Sequence, residues 1–319
     1  MRAARDTLLV AGEALGRYGF PDGHPWGVDR YGAFMRAFRD LGLDTQVRVQ
    51  RPREASRDEL ETFHQSAYVS LVEQRSGLGQ GFLDVRDTPA FRGVFEAASA
   101  VVGGALVATE EIMEGRAKRA FIPIAGLHHA TPGAAAGFCV FNDIGVVIEA
   151  LRHRFGVRRI AYVDIDAHHG DGVYYAYEND PDLCFADIHE DGRYLFPGTG
   201  AAHETGLGAA QGTKLNIPIL PSSGDEVFWP AWTRIEAHVA AFRPEFIILQ
   251  AGADSLAGDP LTHLRFTAAA HAHAAARLAA LADTHCGGRL LGLGGGGYNH
   301  ENLGLAWTGV LKSFIEPAA

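Results

Sequence analysis

The stretch Tyr162–Val173 reads YVDIDAHHGDGV. The run that delivers it, Arg159–Asp166, holds IAYVDI, apolar through its middle, as a strand buried on both faces should be. Strands of that kind belong to parallel sheets covered by helices. At its carboxyl end stand Asp164, Asp166, His168, His169 and Asp171. Carboxylates and imidazoles this dense are costly to bury unless a metal ion or mutual pairing compensates them. Along an extended chain, side chains two residues apart share a side. Asp164, Asp166 and His168 should then point the same way, and Asp166 and His168 can bind one metal ion. A polar surface loop is the plainer explanation, but the preceding run is too apolar for it.

Similar runs occur at Arg119–Ala125, Leu183–Ile188, Phe246–Ala251 and Leu290–Leu293. Between them lie helical patterns at Phe91–Glu114, Phe141–Phe155, Glu226–Phe242, Thr267–Asp283 and Asn302–Phe314. Strand alternating with helix predicts an α/β fold with a parallel sheet covered on both faces. Ligands in such folds bind beyond the carboxyl ends of the strands. Residues 24–75 hold HPWGVDRYGAFMRAF and RDELETFHQSAYVSLVE, helical in period, read as flanking helices of the same domain. With no linker or repeat, one domain is expected over residues 1–319.

Three further motifs sit at strand ends. In QAGADSLAGDP, Gln250–Pro260, Asp254 follows an apolar strand and can be a third ligand, while Asp259 before Pro260 reads as a turn former. Three protein ligands and an open position make the catalytic zinc arrangement. In IAGLHHATPGAAAGFCVFND, Ile124–Asp143, His128 and His129 suggest a general base and an electrostatic partner, with Asp164 and Asp171 free to orient them. Phe138 and Phe141 either line a narrow apolar slot or lie in the core. In LLGLGGGGYNHENLGLAW, Leu290–Trp307, the glycines permit close backbone approach and Tyr298 can donate to a developing oxyanion, or else packs in the core. A nucleotide-binding glycine loop is the rival reading, and no phosphate-loop GK[ST] follows. His238, His271 and His273 fall on expected helices and receive no role.

Composition narrows the class. Of 319 residues, 47% are hydrophobic and 21% charged, an ordinary globular balance. A formal net charge of −10 disfavours nucleic-acid binding and suits cationic ligands such as lysine tails or polyamines, or simply solubility. Cys139, Cys184 and Cys286 are scattered and form no CxxC, which fits a reducing compartment. The opening MRAARDTLLVAGEALGRYG is a poor signal peptide, and no stretch reaches membrane-spanning length. A cytoplasmic protein with no membrane partner is expected.

Taken together, GLHHA, GFCVFND, VDIDAHHGDG, GADSLAGDP and LGGGGYN, in this order, resemble the histone deacetylase family, as do RPREASRDELETFHQSAYV and FPGTG at Phe196–Gly200. The likeness is closest to single-domain bacterial members, the acetoin-utilization-type deacetylases and acetylpolyamine amidohydrolases. It implies a three-layer α-β-α fold of the arginase/deacetylase kind with about eight mostly parallel strands. It implies a zinc-dependent deacetylase acting on an N-acetylated amine, acetyl-lysine or acetylpolyamine, with Fe2+ as the alternative metal and self-association compatible. Asp166, His168 and Asp254 then look like the metal ligands and His129 like the general base, with His128 its electrostatic neighbour. Asp164 is similar to the carboxylate behind His128, Asp171 to the one behind His129, and Tyr298 to the carbonyl-polarising tyrosine. Phe138 and Phe196 resemble the tunnel walls and Asp87 the rim aspartate. Leu261 stands where the polyamine-selective eukaryotic branch has Glu. The family also binds K+ near Asp164, Asp166 and His168, and Asp187 stands where many members carry Ser. Two rivals remain: a two-metal arginase-like ureohydrolase, whose D-x-H-x-D run is broken here by Gly170, and a non-catalytic acetyl-group binder.

Overall fold

The structure, a computed structural model, describes residues 6–21, 23–85 and 87–316. The two ends of the expected 1–319 domain, including the first residues of the MRAARDT segment, lie outside the described residues. Eight strands form one sheet: β1 (Thr7–Val10), β2 (Arg48–Gln50), β3 (Arg119–Ile122), β4 (Ile160–Asp164), β5 (Leu183–Glu190), β6 (Lys214–Ile219), β7 (Phe246–Gln250) and β8 (Leu290–Leu293). Their order is β2-β1-β3-β8-β7-β4-β5-β6, and every pairing is parallel. The helices are α1 (Glu13–Gly16), α2 (Asp29–Asp40), α3 (Arg57–Leu60), α4 (Ser66–Leu78), α5 (Val94–Met113), α6 (Asp143–Phe155), α7 (Asp171–Ala176), α8 (Asp225–Phe242), α9 (Ala268–His285) and α10 (His300–Ile315). A row of α2, α10, α9 and α8 packs together on the sheet, and α5, flanked by α4 and α6, packs on β1, β3 and β8.

The expected α/β architecture is therefore present, with all strands parallel. The five expected strands are found where the apolar runs lie, since β4 and β7 are buried along their whole length. The three strands not anticipated have weak signals. β1 is a four-residue apolar stretch, too short for a period to show. β2 and β6 are the sheet edges; β2 is partly exposed, and β6 opens with Lys214 and contains Pro218, a residue tolerated at edges.

The order of strands places the site. β4 is reached from β3 across a gap that β7 and β8 fill later, so β3, β8, β7 and β4 are consecutive neighbours. Their carboxyl ends lead directly into the four motif segments. Side chains fasten those segments to the scaffold. Asp143, at the start of α6, accepts N–H bonds from Gly126 and Leu127 at 2.9 and 2.7 Å. Trp307 of α10 donates its indole N–H to Ala251 O and Gly294 O at 3.0 and 2.9 Å, joining the ends of β7 and β8.

Close packing of α5 gives a test of the layer. Alanine at a helical glycine ordinarily stabilises by about 0.5–1 kcal/mol. At Gly103 a Cβ would lie 2.1 Å from the Arg53 carbonyl oxygen, a backbone atom unable to yield cheaply. Gly103→Ala is expected to reverse the usual sign and destabilise by about 1–3 kcal/mol, seen as a lower thermal midpoint by calorimetry. An unchanged or raised midpoint would show that α5 does not press on the 53–55 segment.

Candidate functional site

Asp166 and His168 follow β4, and Asp254 lies in the turn after β7. One ligand atom from each lies within 4.8 Å of the others. His168 Nδ1 is 3.0 Å from Asp166 Oδ1 and 3.2 Å from Asp254 Oδ2. The Asp166, His168 and Asp254 side chains are only 1%, 12% and 1% exposed. Asp166 Oδ2 is already held by Gln250 Nε2 at 2.8 Å and Gly296 N–H at 2.9 Å, leaving Oδ1 turned toward the imidazole. Asp254 Oδ1 accepts Ala167 N–H at 2.9 Å, whereas its Oδ2 is buried without a hydrogen-bond donor. Burial, and the Asp166 charge beside it, push the Asp254 carboxyl up to about 7. Two buried carboxylates converge here around an imidazole with one oxygen unsatisfied, the donor chemistry of a divalent zinc or iron site.

Glycine keeps this space open. A Cβ at Gly296 would sit 2.1 Å from Asp254 Oδ2 and 2.9 Å from Asp166 Oδ2, and one at Gly252 would sit 2.0 Å from Asp166 Oδ2. The cavity at this point measures about 10 Å³, room for one water-sized particle. Wider surface clefts of 380 and 400 Å³ border α1 and contain none of these groups.

The histidine pair stands over the same cavity. His128 Nδ1 lies 2.7 Å from Asp164 Oδ2, and His129 Nδ1 lies 2.6 Å from Asp171 Oδ1. Their Nε2 atoms face each other at 3.1 Å, a separation with space for one proton and not two. Burial, and His128 next to it, hold His129 below the usual imidazolium range despite Asp171. A neutral Nε2 able to take up a proton is the result. Asp171 is kept below the usual carboxylate range against its burial by His129. Asp164 also accepts a short bond from Tyr162 Oη and a 3.0 Å bond from Asp166 N–H. β4 ends at Asp164. Asp164 turns to His128, and only Asp166 and His168 join Asp254.

Tyr298 borders this cavity from the other side. Burial and then Asp254 raise its hydroxyl well above the ordinary tyrosine range, so it stays a donor. The glycine loop before it is gripped by Arg30, which is fully buried, stacks 3.8 Å over Trp26 and donates to Gly297 O at 2.8 Å and Gly295 O at 2.7 Å.

Two aromatic rings lie against these groups. Phe196 packs on His129 with ring centroids 5.0 Å apart, and Phe138 meets Tyr298 edge-on at 6.0 Å. Phe138 adopts a left-handed backbone, φ 66°, held because Tyr18 Oη donates to its carbonyl at 2.7 Å and its N–H donates to Thr88 Oγ1 at 3.2 Å. Phe141, by contrast, is wholly buried against His64, Tyr68 and Phe95, so it is core. Asp87 is exposed one residue before Thr88; partial burial and neighbouring Asp84 push its carboxyl up to about 7. Leu261 is 36% exposed on the loop after Asp259. His271, left without a role, is buried and its Nε2 donates to Gly252 O at 2.8 Å, behind the Asp254 turn.

The residues that sequence reading missed are supporting ones. Gln250 was legible as a polar residue closing an apolar strand. Arg30 was not, because an arginine in a helical pattern reads as solvent-facing.

The sequence profile of the histone deacetylase domain family matches residues 24–314. The acetoin utilization protein AcuC of Bacillus subtilis (strain 168) is 38% identical over 304 residues, covering 92% of this chain and 78% of that protein. AcuC of Staphylococcus xylosus is 34% identical over 319 residues, covering 97% of this chain and 82% of that one. The solved HD domain of HDA15 superposes with a TM-score of 0.91 at 28% identity, over 99% of this chain and 89% of that structure.

Gly296→Ala should fill the space between the two carboxylates. We expect the variant to lose retained divalent metal, measured by elemental analysis after dialysis, while its circular dichroism stays native. Metal retention equal to that of the unaltered protein would mean that the cluster is not where an ion binds.

Proposed function

This chain belongs to the histone deacetylase family, and on that premise we propose that it is a zinc-dependent deacetylase that hydrolyses the amide of an N-acetylated amine to the free amine and acetate. The observation that carries the metal dependence is the unsatisfied Asp254 Oδ2, buried between His168 and Asp166 beneath the histidine pair. Asp166, His168 and Asp254 are the residues that would hold the ion. When bound there, zinc would supply Lewis-acid polarisation of the amide carbonyl and a lowered pKa for water.

The protein's own groups supply the remaining chemistry. Phe138 and Phe196 confine a linear acyl-amine chain so that its carbonyl reaches Tyr298. His129 Nε2 takes a proton from water as the new C–O bond forms. Tyr298 Oη donates a hydrogen bond to the carbonyl oxygen as it gains charge. His129 then gives its proton to the amine nitrogen as the C–N bond breaks. Asp171 fixes the His129 tautomer, and Asp164 with His128 steadies the positive charge acquired in between.

The arrangement favours one ion. A ureohydrolase with two would need a carboxylate where Gly170 stands, and a single such ligand group occurs among the described residues. A passive acetyl-group binder would have no use for a base oriented by Asp171 at 2.6 Å. A potassium ion near Asp164, Asp166 and His168 is carried over from the resemblance alone. Both oxygens of Asp164 are engaged, and Asp187 accepts Gly170 N–H at 2.9 Å and pairs with His189 Nδ1 at 2.8 Å. No step above uses potassium.

Acetyl-lysine and acetylpolyamines are the substrate classes that this reading admits. Asp87 at the rim would meet the amine or backbone beyond the acetyl group, and Leu261 offers no carboxylate to select a distal ammonium. Within this family reading the protein acts in the cytoplasm, and no helix among the described residues is long and apolar enough to cross a membrane.

Two measurements test the proposal. Turnover of a fluorogenic acetyl-lysine peptide or of N-acetylputrescine should vanish on chelation and return with zinc; turnover indifferent to chelator contradicts metal dependence. Tyr298→Phe should lower kcat by about 10²–10³-fold with metal content unchanged. Full activity of that variant removes the tyrosine from the mechanism.

A further inference from the structure

Asp259 reads in the sequence as a turn former, yet its carboxylate reaches well beyond its own turn. One oxygen, Oδ2, accepts the backbone N–H of Tyr298 at 2.8 Å, and the other, Oδ1, accepts that of Leu261 at 2.9 Å. The residue is 8% exposed, so water does not readily replace either bond. We propose that Asp259 is a positioning residue that sets the aim of the Tyr298 hydroxyl and locks it in register with the rim residue Leu261. The proposal rests on the reading of Tyr298 as the carbonyl donor.

The segment leading to Tyr298 has no regular structure to hold it. Gly295 and Gly297 take φ of 72° and 123°, and separate bonds tie the loop down. Gly294 N–H donates to Ile122 O at 2.8 Å, Gly295 N–H to Ala125 O at 2.7 Å and Gly296 N–H to Asp166 Oδ2 at 2.9 Å. Those bonds fix the loop to the sheet and to the metal-ligand cluster. The bond to Asp259 fixes its last residue, the tyrosine itself, to the 257–261 turn. Two neutral bonds run beside it: Asn299 Nδ2 to Gly258 O at 3.1 Å and Asn302 Nδ2 to Ala257 O at 3.2 Å. These hold the start of α10 without touching the Tyr298 peptide. A tyrosine has two side-chain torsions, so a small tilt of its peptide is amplified at the hydroxyl. Misplacement by about 1 Å at a reacting centre can cost about 10²-fold in rate.

A carboxylate is needed because two N–H groups must be accepted at once. Asparagine of the same shape offers one oxygen and sets an NH2 against the remaining N–H, donor facing donor. Asp259→Asn therefore breaks one anchor with little change in volume.

The deciding experiment is a double-mutant cycle of Asp259→Asn with Tyr298→Phe. It uses the full chain loaded with zinc and whichever of the two acetyl amines above is turned over faster. Asp259→Asn alone should lower kcat about 10-fold, part of the loss that removing an oxyanion donor gives, with KM changed less than about 2-fold and metal content unchanged. In the Tyr298→Phe background the same substitution should cost less than about 2-fold, because no hydroxyl remains to aim. Equal losses in both backgrounds would place the effect of Asp259 on the metal or on His129 and overturn the proposal, as would no loss in either. Should Tyr298→Phe itself be fully active, the reading of the tyrosine fails, and the proposal with it. If Asp259→Asn does not fold, Asp259→Ser, which keeps an oxygen acceptor and the turn, goes through the same cycle.

Discussion

Asp166 and Asp254 present carboxylate oxygens within 4.8 Å of each other in the buried interior. Like charges at that separation repel by about 3–4 kcal/mol even at an effective dielectric of about 20. A net hydrogen bond contributes only about 0.5–1.5 kcal/mol. The bonds from Gln250, Gly296 and Ala167 therefore orient these carboxylates without neutralising them. An imidazole between them shares the charge, and a divalent cation would remove the repulsion. Nearly every nearby feature keeps that arrangement intact: the glycines that leave it room, His271 behind the Asp254 turn, and the strand order that brings β4 and β7 together.

Around that centre, strand-end segments and loops are anchored differently. The metal-ligand segments and the histidine pair are anchored to the four inner strands and to α6 through Asp143. Tyr298, Phe138 and Leu261 lie on loops tied in part by the side chains of Arg30, Tyr18, Thr88 and Asp259. In the proposed reading, substrate choice is carried by the second set. Exchange of rim residues can retune it without disturbing the charges beneath, which fits the general rule that binding function lies on loops presented by a stiff scaffold.

Much of this was legible in the sequence, for physical reasons. Strands covered on both faces must be apolar throughout, so β4, β5, β7 and β8 announced themselves, and densely packed ionisable residues at their ends marked the site. The edge strands β2 and β6 did not, because one side of each needs no partner and tolerates Lys214 and Pro218. Burial cannot be read from residue type alone, so Arg30 was invisible as a core residue and Phe141 ambiguous as a wall. Asp164 was expected to orient a histidine, and it pairs at 2.7 Å with His128, whose Nε2 lies 4.0 Å from Asp166 Oδ1. Asp259 was legible as a turn former but not as an anchor, since its partner Tyr298 lies far along the chain.

The most direct test is anomalous diffraction from zinc-loaded crystals, recorded above and below the zinc absorption edge. The account requires one peak per chain, at bonding distance from Asp166, His168 and Asp254 and beneath the facing Nε2 atoms of His128 and His129. A second peak beside it, a peak elsewhere, or no peak at this position in fully loaded protein would contradict it.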